Sequence, residues 1–298
     1  MISAETDSIK ATGNDEEPAK GHEIIAENVS FTYGSGPESN SVLFDISFSS
    51  DRAELISILG PNGVGKSTLM HCLNRILTPS DGRTSINGTD VQEISLKDLA
   101  KIVGYVPCST NEAFPMTVVD AVMLGRHPYS RWGSLDEDLD ITYDSLRMVG
   151  MEDFSMRMFN ELSAGQHQKV MLARGFAQRT PILLLDEPTA NLDIKHQLGV
   201  TRLLREMAHD RDMLIIMISH DINIAAKYSD RIIMMHDGTI YAMGTPKEVI
   251  TEDNLRTVYG VSSKVIDVNG TPHVILLDDS DGPKEEVRLT LRSEFSGR

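Results

Sequence analysis

Residues 60–68 read Gly60-Pro61-Asn62-Gly63-Val64-Gly65-Lys66-Ser67-Thr68. A short β-prone apolar run, Glu54-Leu55-Ile56-Ser57-Ile58-Leu59, leads in, and Leu69 to Leu77 follows with helical apolar spacing. Strand, glycine-rich loop, then helix is the context that a phosphate-cradling loop requires. The glycines let the backbone wrap an anion without Cβ clashes, so that successive N–H groups point inward. The helix adds the positive end of its dipole. Lys66 is placed to reach the β- and γ-phosphates of a nucleotide, and the Ser67 hydroxyl to ligate Mg²⁺. Two glycines, a lysine and a hydroxyl at this spacing arise by accident in roughly one chain in a hundred of this length. A ligand-free turn is therefore the weaker reading.

The 298 residues could hold one large domain or two modest ones, with ample sequence for a core, and 40% hydrophobic and 24% charged residues fit an ordinary globular protein. No apolar run approaches the ~20 residues of a membrane span, and the N-terminus has no secretory apolar region. Cys72 and Cys108 make neither a disulfide framework nor a metal spacing, which suits a reducing cytosol. The net charge of −16 disfavours nucleic acid as a partner.

Residues 1–21 are acidic and poor in apolar side chains, which predicts a disordered tail. Alternation over Glu23–Tyr33 predicts a strand, with Ser41–Phe48 as its antiparallel neighbour. Thr84–Gly88 and Lys101–Val106 read as further strands. From Val118 to Phe176 the pattern is helical, so a helical subdomain is expected over about 115–178. It comprises segments around Val119–Met123, Leu135–Val149 and Met151–Leu162, and a last helix from Ala164 through Ala177. Ile182–Asp186 and Met213–Ile218 are continuous apolar runs, as parallel strands covered on both faces require. Ile194–Ala208 and Asp221–Tyr228 read as helices, and Arg231–Met235 as a strand. Asp237-Gly238 and Asn269-Gly270 mark hairpins. The expected organisation is a catalytic domain over 22–261, a small hairpin extension over 262–278 and a flexible tail over 279–298.

Asp186-Glu187 closes a buried strand, where open α/β sheets bind their ligands. Asp186 is the candidate Mg²⁺ ligand and Glu187 the candidate activator of water; a solvated acidic turn is the plain alternative. Ser163-Ala164-Gly165-Gln166 opens a helix with a hydroxyl at its N-cap, which is equally a good helix start and an anion-facing one. His220 ends another parallel strand, where it either caps the next helix or meets a γ-phosphate. Tyr33 either stacks on adenine or is an ordinary tyrosine.

Together these pieces resemble the ATP-binding-cassette ATPases over about residues 23–260. The resemblance assigns Tyr33 to the adenine-stacking loop, Gly60–Ser67 to Walker A and Leu162–Gln166 to the signature motif. It makes Ile182–Asp186 Walker B, Glu187 the catalytic glutamate, Ala190-Asn191-Leu192-Asp193 the D-loop and His220 the switch histidine. Thr117–Tyr129, Asp193–Leu198 and Gly244–Val261 are similar to the subfamily that powers importers of iron–siderophores, haem and vitamin B12. Two positions depart from the pattern. Ala164 replaces the first glycine of the signature pair, and Cys108 stands where the family carries the glutamine of the Q-loop, beside the Mg²⁺ site and the coupling surface.

The resemblance implies a P-loop ATPase fold, a mixed sheet core with antiparallel β and helical subdomains. It implies ATP and Mg²⁺, a head-to-tail homodimer in which each phosphate loop faces Ser163–Gln166 of the other copy, and a place on the cytoplasmic face of the membrane. Polytopic permease subunits would be the direct partners and an extracytoplasmic substrate-binding protein an indirect one. The alternatives are a soluble ATPase of the same fold serving cluster assembly, or a nucleotide-binding regulator with weak turnover.

Overall fold

The computed structural model describes residues 23–108, 115–129 and 135–277. The tails expected at 1–21 and 279–298 lie outside the described residues. In chain order the first elements are strands β1 (Ile24–Tyr33), β2 (Asn40–Ser50) and β3 (Glu54–Leu59), helix α1 (Lys66–Leu73), and strands β4 (Asp81–Ile86) and β5 (Thr89–Asp90). Helix α2 (Leu96–Ile102), strand β6 (Val103–Val106) and helices α3 (Val118–Met123), α4 (Leu135–Met148) and α5 (Ala164–Ala177) follow. Then come β7 (Ile182–Leu185), α6 (Ile194–Asp210), β8 (Leu214–Ile218), α7 (Ile222–Tyr228), β9 (Arg231–His236) and β10 (Thr239–Gly244). Helices α8 (Pro246–Val249) and α9 (Glu252–Tyr259) and the hairpin strands β11 (Ser263–Val268) and β12 (Thr271–Leu276) complete the chain.

The central sheet has the order β10-β9-β3-β8-β7-β6. β9, β3, β8, β7 and β6 run parallel, and β10 returns antiparallel through the Asp237-Gly238 turn. Every residue of β3, β7 and β8 is buried, which is why β7 and β8 are continuous apolar runs and β3 is apolar but for Glu54 and Ser57. One face packs on α3–α6 through Val122, Phe159, Leu172 and Leu204. The other packs on α1 and on an antiparallel sheet of order β2-β1-β4-β5, through Ile24, Ile46, Leu69 and Met70. A third cluster joins Leu59 and Met234 to Val249, Leu255 and Val258 of the C-terminal helices. The parallel arrangement brings the C-terminal ends of β3, β8, β7 and β6 to one edge.

Three expectations are corrected. Met151–Leu162 does not form a helix; it holds short 3-10 turns at Glu152–Phe154 and Phe159–Glu161. Backbone pairing wins here: Val118 N–H donates to Arg157 O at 2.9 Å, and Phe159 N–H to Met116 O at 2.9 Å, around a Thr117–Met158 bridge. Lys101 and Ile102 end helix α2, capped at Ser95, rather than starting a strand. Helix α1 stops at Leu73, where Arg75 turns to φ +55° and Ile76 N–H closes on His71 O. Toward the C-terminus α8 and α9 add two short helices, with Thr245 and Glu248 forming a capping box at the start of α8.

Candidate nucleotide site

The phosphate loop leaves β3 at Gly60, whose φ of +148° and position leave no room for a side chain: a Cβ there would lie 2.5 Å from Met235 O. Gly65, at φ +101°, caps α1 with its Cα against Leu43, while Gly63 at φ +80° faces open space. Lys66 is buried and donates to Gly60 O and Pro61 O, both at 2.8 Å. An ammonium has three donors, so two close the loop on itself and a third can serve an anion within it. Burial lowers the Lys66 pKa, opposed by Glu187 and Asp186. In the same loop Asn62 is exposed and Val64 is half-buried against the core. Tyr33 ends β1 beside it, exposed, with its hydroxyl 3.2 Å from Thr68 Oγ1 and its ring edge-on to Phe31.

Three neighbouring strand ends supply the remaining polar groups. Asp186 follows β7 and is clamped by its N–H to Val106 O at 2.9 Å. Ser219 N–H donates to Ile58 O at 3.1 Å, which sets His220 beside the loop that follows β3. Asp186 is 6% exposed, and its Oδ1 has no hydrogen-bond partner among the described residues. Burial raises the Asp186 pKa; the Ser67 hydroxyl, donating to it, pulls the other way, and Glu187 adds to the rise. A buried carboxylate oxygen left without a donor beside a serine hydroxyl fits a hard divalent cation such as Mg²⁺.

Glu187 adopts φ +53°, a left-handed backbone that a non-glycine residue holds only where its surroundings fix it. His220 Nε2 meets one carboxylate oxygen, Oε1. The Cys108 thiol donates to the other, Oε2, at 3.5 Å. Cys108 is half-buried just past β6, and burial, with Glu187 next, pushes its pKa up to about 11, so it stays a neutral S–H donor.

The structure thus gathers Tyr33, Gly60–Thr68, Cys108, Asp186, Glu187 and His220 on one edge. Ser163–Gln166 lies apart: among the described residues no hydrogen bond joins it to the phosphate loop. Ser163 and Gln166 form a capping box on α5, and Gly165 packs against Asn191 O and Leu192. Asp193 caps α6, accepting from His196 N–H at 2.9 Å. Signature and D-loop segments therefore share a second surface. Sequence reasoning missed Tyr105, whose hydroxyl is 3.0 Å from His71 Nε2 beside Asp186. Only the three-dimensional approach of distant segments reveals it.

The family profile described as ABC transporter matches residues 43–190. An uncharacterised ABC transporter ATP-binding protein of Methanocaldococcus jannaschii is 44% identical, over 85% of this chain and 97% of its own. This chain belongs to the ATP-binding subunits of ABC transporters. Relatives with import names are more distant. The hemin import ATP-binding protein of Escherichia coli O157:H7 is 36% identical over 85% of this chain and 93% of its own. The ferric enterobactin transport ATP-binding protein of E. coli K12 is 35% identical over 74% and 83%. The cobalamin import ATP-binding protein of Halobacterium salinarum is 35% identical over 73% of this chain, which spans only 55% of that relative. A bacterial ABC transporter cassette solved as a dimer superposes with a TM-score of 0.69 at 29% identity, covering 74% of this chain and 98% of the other. The fold of the ABC cassette, ATP as substrate and ATP hydrolysis as the reaction accord with the site.

Proposed function

We propose that this chain is the ATP-hydrolysing subunit of a membrane importer for a metal chelate: an iron–siderophore, haem or a cobalamin. The observation that supports it most is the meeting of Lys66, Asp186, Glu187 and His220 at one sheet edge, in a chain whose named relatives include importer subunits for ferric enterobactin, hemin and cobalamin.

In this reading Tyr33 stacks on the adenine, while the 60–68 backbone and Lys66 take the phosphate oxygens. Ser67 and Asp186 would hold Mg²⁺, which when bound would neutralise phosphate charge. Glu187 orients the attacking water and takes its proton. A general base works only in the right orientation, and His220 and Cys108 hold one carboxylate oxygen each. His220 also faces the γ-phosphate position. Two copies meet head to tail, so that Ser163, Ala164, Gly165 and Gln166 of one approach the nucleotide on the other, with Asp193 at the seam. Nucleotide then glues the pair, and its hydrolysis releases them.

Beside Cys108 lies a groove of about 570 Å³ lined by Tyr105, Pro107, Leu124, His127, Pro128 and Arg174. It joins β6 to the helical segment and suits a helix from a polytopic permease. Among the described residues no helix is long and apolar enough to cross a membrane. The chain would sit peripherally on the cytoplasmic face, with an extracytoplasmic binding protein delivering the chelate from the other side. The domain bounds 22–261 and 262–278, with a helical subdomain over 115–178, belong to the same proposal.

Reconstitution of the chain with its co-purifying membrane subunit and binding protein tests this. ATP-driven uptake of haem, a ferric siderophore or cobalamin into proteoliposomes is the expected result. ATP hydrolysis with no membrane partner and no uptake would instead favour the soluble cluster-assembly class.

A further inference from the structure

Helix α1 carries Ser67 in its first turn and His71 one turn further on, along the same face, and both are half-buried. His71 Nε2 lies 3.0 Å from the hydroxyl of Tyr105, and the two rings meet edge-on with their centroids 5.7 Å apart. Tyr105 stands on β6, the edge strand of the central sheet, three places from β3. At the usual strand spacing that is roughly 14 Å from the strand that launches α1. We propose that His71 and Tyr105 are positioning residues: their hydrogen bond sets α1 against the ends of β6 and β7, and so holds Ser67 and Asp186 at the separation that Mg²⁺ with nucleotide needs. This rests on the nucleotide and Mg²⁺ reading of the site.

Two adjacent residues of β6 grip the two sides of that site. Val106 O accepts from Asp186 N–H at 2.9 Å, and Tyr105 reaches across to α1. β6 and β7 pair in parallel through Tyr105–Leu184 and Val106–Leu185, so Tyr105 and the strand end that carries Asp186 belong to one hydrogen-bonded unit. On the helix side, Leu69, Met70 and Leu73 pack into the cluster that holds Val103 and Leu184, with half-buried Tyr105 against it. Apolar burial is non-directional and does not fix how far the helix slides along the sheet. A hydrogen bond does, because it weakens steeply with distance and angle. Thr68 ties the same helix to Tyr33 at 3.2 Å, but that bond leads to β1 and the antiparallel sheet, not to β7.

The metal is the part of the ligand most sensitive to such a slide. Mg²⁺ demands near-octahedral oxygen ligands at ~2.0–2.1 Å, so a small displacement of Ser67 from Asp186 costs a ligand or strains it. Loop N–H groups and the Lys66 ammonium meet phosphate oxygens over a wider range of distances and angles. Losing the His71–Tyr105 bond should therefore weaken nucleotide with Mg²⁺ and spare nucleotide without it. A phenol hydroxyl both donates and accepts, so the bond forms whether or not His71 Nε2 carries the proton.

Tyr105→Phe removes the hydroxyl and keeps the ring that packs on His71 and lines the groove beside β6. The full chain is titrated by calorimetry with a non-hydrolysable ATP analogue, once with excess Mg²⁺ and once in EDTA. The Kd with Mg²⁺ should rise about threefold to tenfold, the range for one hydrogen bond, and the Kd in EDTA should stay within about twofold. His71→Leu should show the same selective loss, and the double variant no more than either single one, as residues acting through one bond do. His71→Gln, whose amide again offers the hydroxyl a polar partner, should recover most of the affinity. Equal losses with and without Mg²⁺ would show a merely structural role and overturn the proposal. Unchanged affinity in both media, or losses that multiply in the double variant, would overturn it as well. Wild-type protein that binds the analogue in neither medium overturns the nucleotide reading itself, and wild-type binding that ignores Mg²⁺ overturns the Mg²⁺ reading, so the failures are distinguishable.

Discussion

The Cys108 thiol lies 3.5 Å from Glu187 Oε2, on the carboxylate whose other oxygen is held by His220. A short, neutral side chain thus touches the candidate base from the position where the family carries a longer amide. Its contact with Glu187 is a weak one, since S–H is a poor donor. Mg²⁺ takes oxygen ligands, and a neutral thiol is a soft, poor substitute for an amide oxygen. The alternative oxygen donors Ser109, Thr110 and Asn111 lie outside the described residues. Cys108→Gln is therefore expected to raise ATPase stimulation by the membrane partner while leaving ATP affinity nearly unchanged. Equal stimulation of both proteins, each reconstituted with that partner, removes Cys108 from coupling.

Alkylation reads the same thiol through pH. With a pKa of about 11, raised by burial, about one Cys108 in a thousand is thiolate at pH 8. Cys72, fully buried, is held up to about 11 by the same cause. Iodoacetamide should therefore modify the native protein slowly at pH 8, and about tenfold faster at pH 9, as the thiolate fraction rises tenfold per unit below the pKa. Mass spectrometry of timed samples checks this. A fast, pH-independent reaction at Cys108 contradicts the described environment.

Lys66→Ala removes the charge proposed to face the phosphates and both hydrogen bonds that close the loop. Loss of a charge-assisted bond predicts ATP affinity weakened at least tenfold, measured by titration calorimetry. Unchanged affinity would contradict the phosphate-loop assignment.

Stability of the helical segment hangs on a buried ion pair. Arg126 donates through Nε to Asp138 at 2.7 Å and through Nη1 to Ala177 O at 2.9 Å, joining the turn after α3 to α4 and α5. Arg126→Ala takes the cation from beside a buried carboxylate, which costs about 3 kcal/mol. Chemical denaturation should show that loss, whereas a change below about 0.5 kcal/mol would place the pair among those of no net value.

The sheet was legible where burial is uniform. β7 and β8 announce themselves as unbroken apolar runs because both faces are covered, and both hairpins by Asp-Gly and Asn-Gly turns. Helix α5 was legible from its Ser163–Gln166 box. Met151–Leu162 was not, because apolar spacing is blind to the backbone bonds that tie it to Met116 and Val118. The short helices α2 and α8 carried their signals in caps, at Ser95 and Thr245, rather than in periodicity. Within the site, the phosphate loop and the strand-end acids follow from local pattern. The Cys108–Glu187 contact does not, since it joins segments far apart in the chain.

The central claim is that Glu187 activates water in a nucleotide-bridged dimer, and Glu187→Gln tests it most directly. The amide keeps the shape of the carboxylate but cannot take a proton, so hydrolysis should fall roughly 10²–10⁴-fold with ATP binding retained. Unhydrolysed nucleotide should then hold two copies together. Size-exclusion chromatography with light scattering, run with ATP and Mg²⁺, should show this variant as a dimer and as a monomer once nucleotide is removed. A Glu187→Gln protein that hydrolyses ATP at the wild-type rate and stays monomeric would contradict the account.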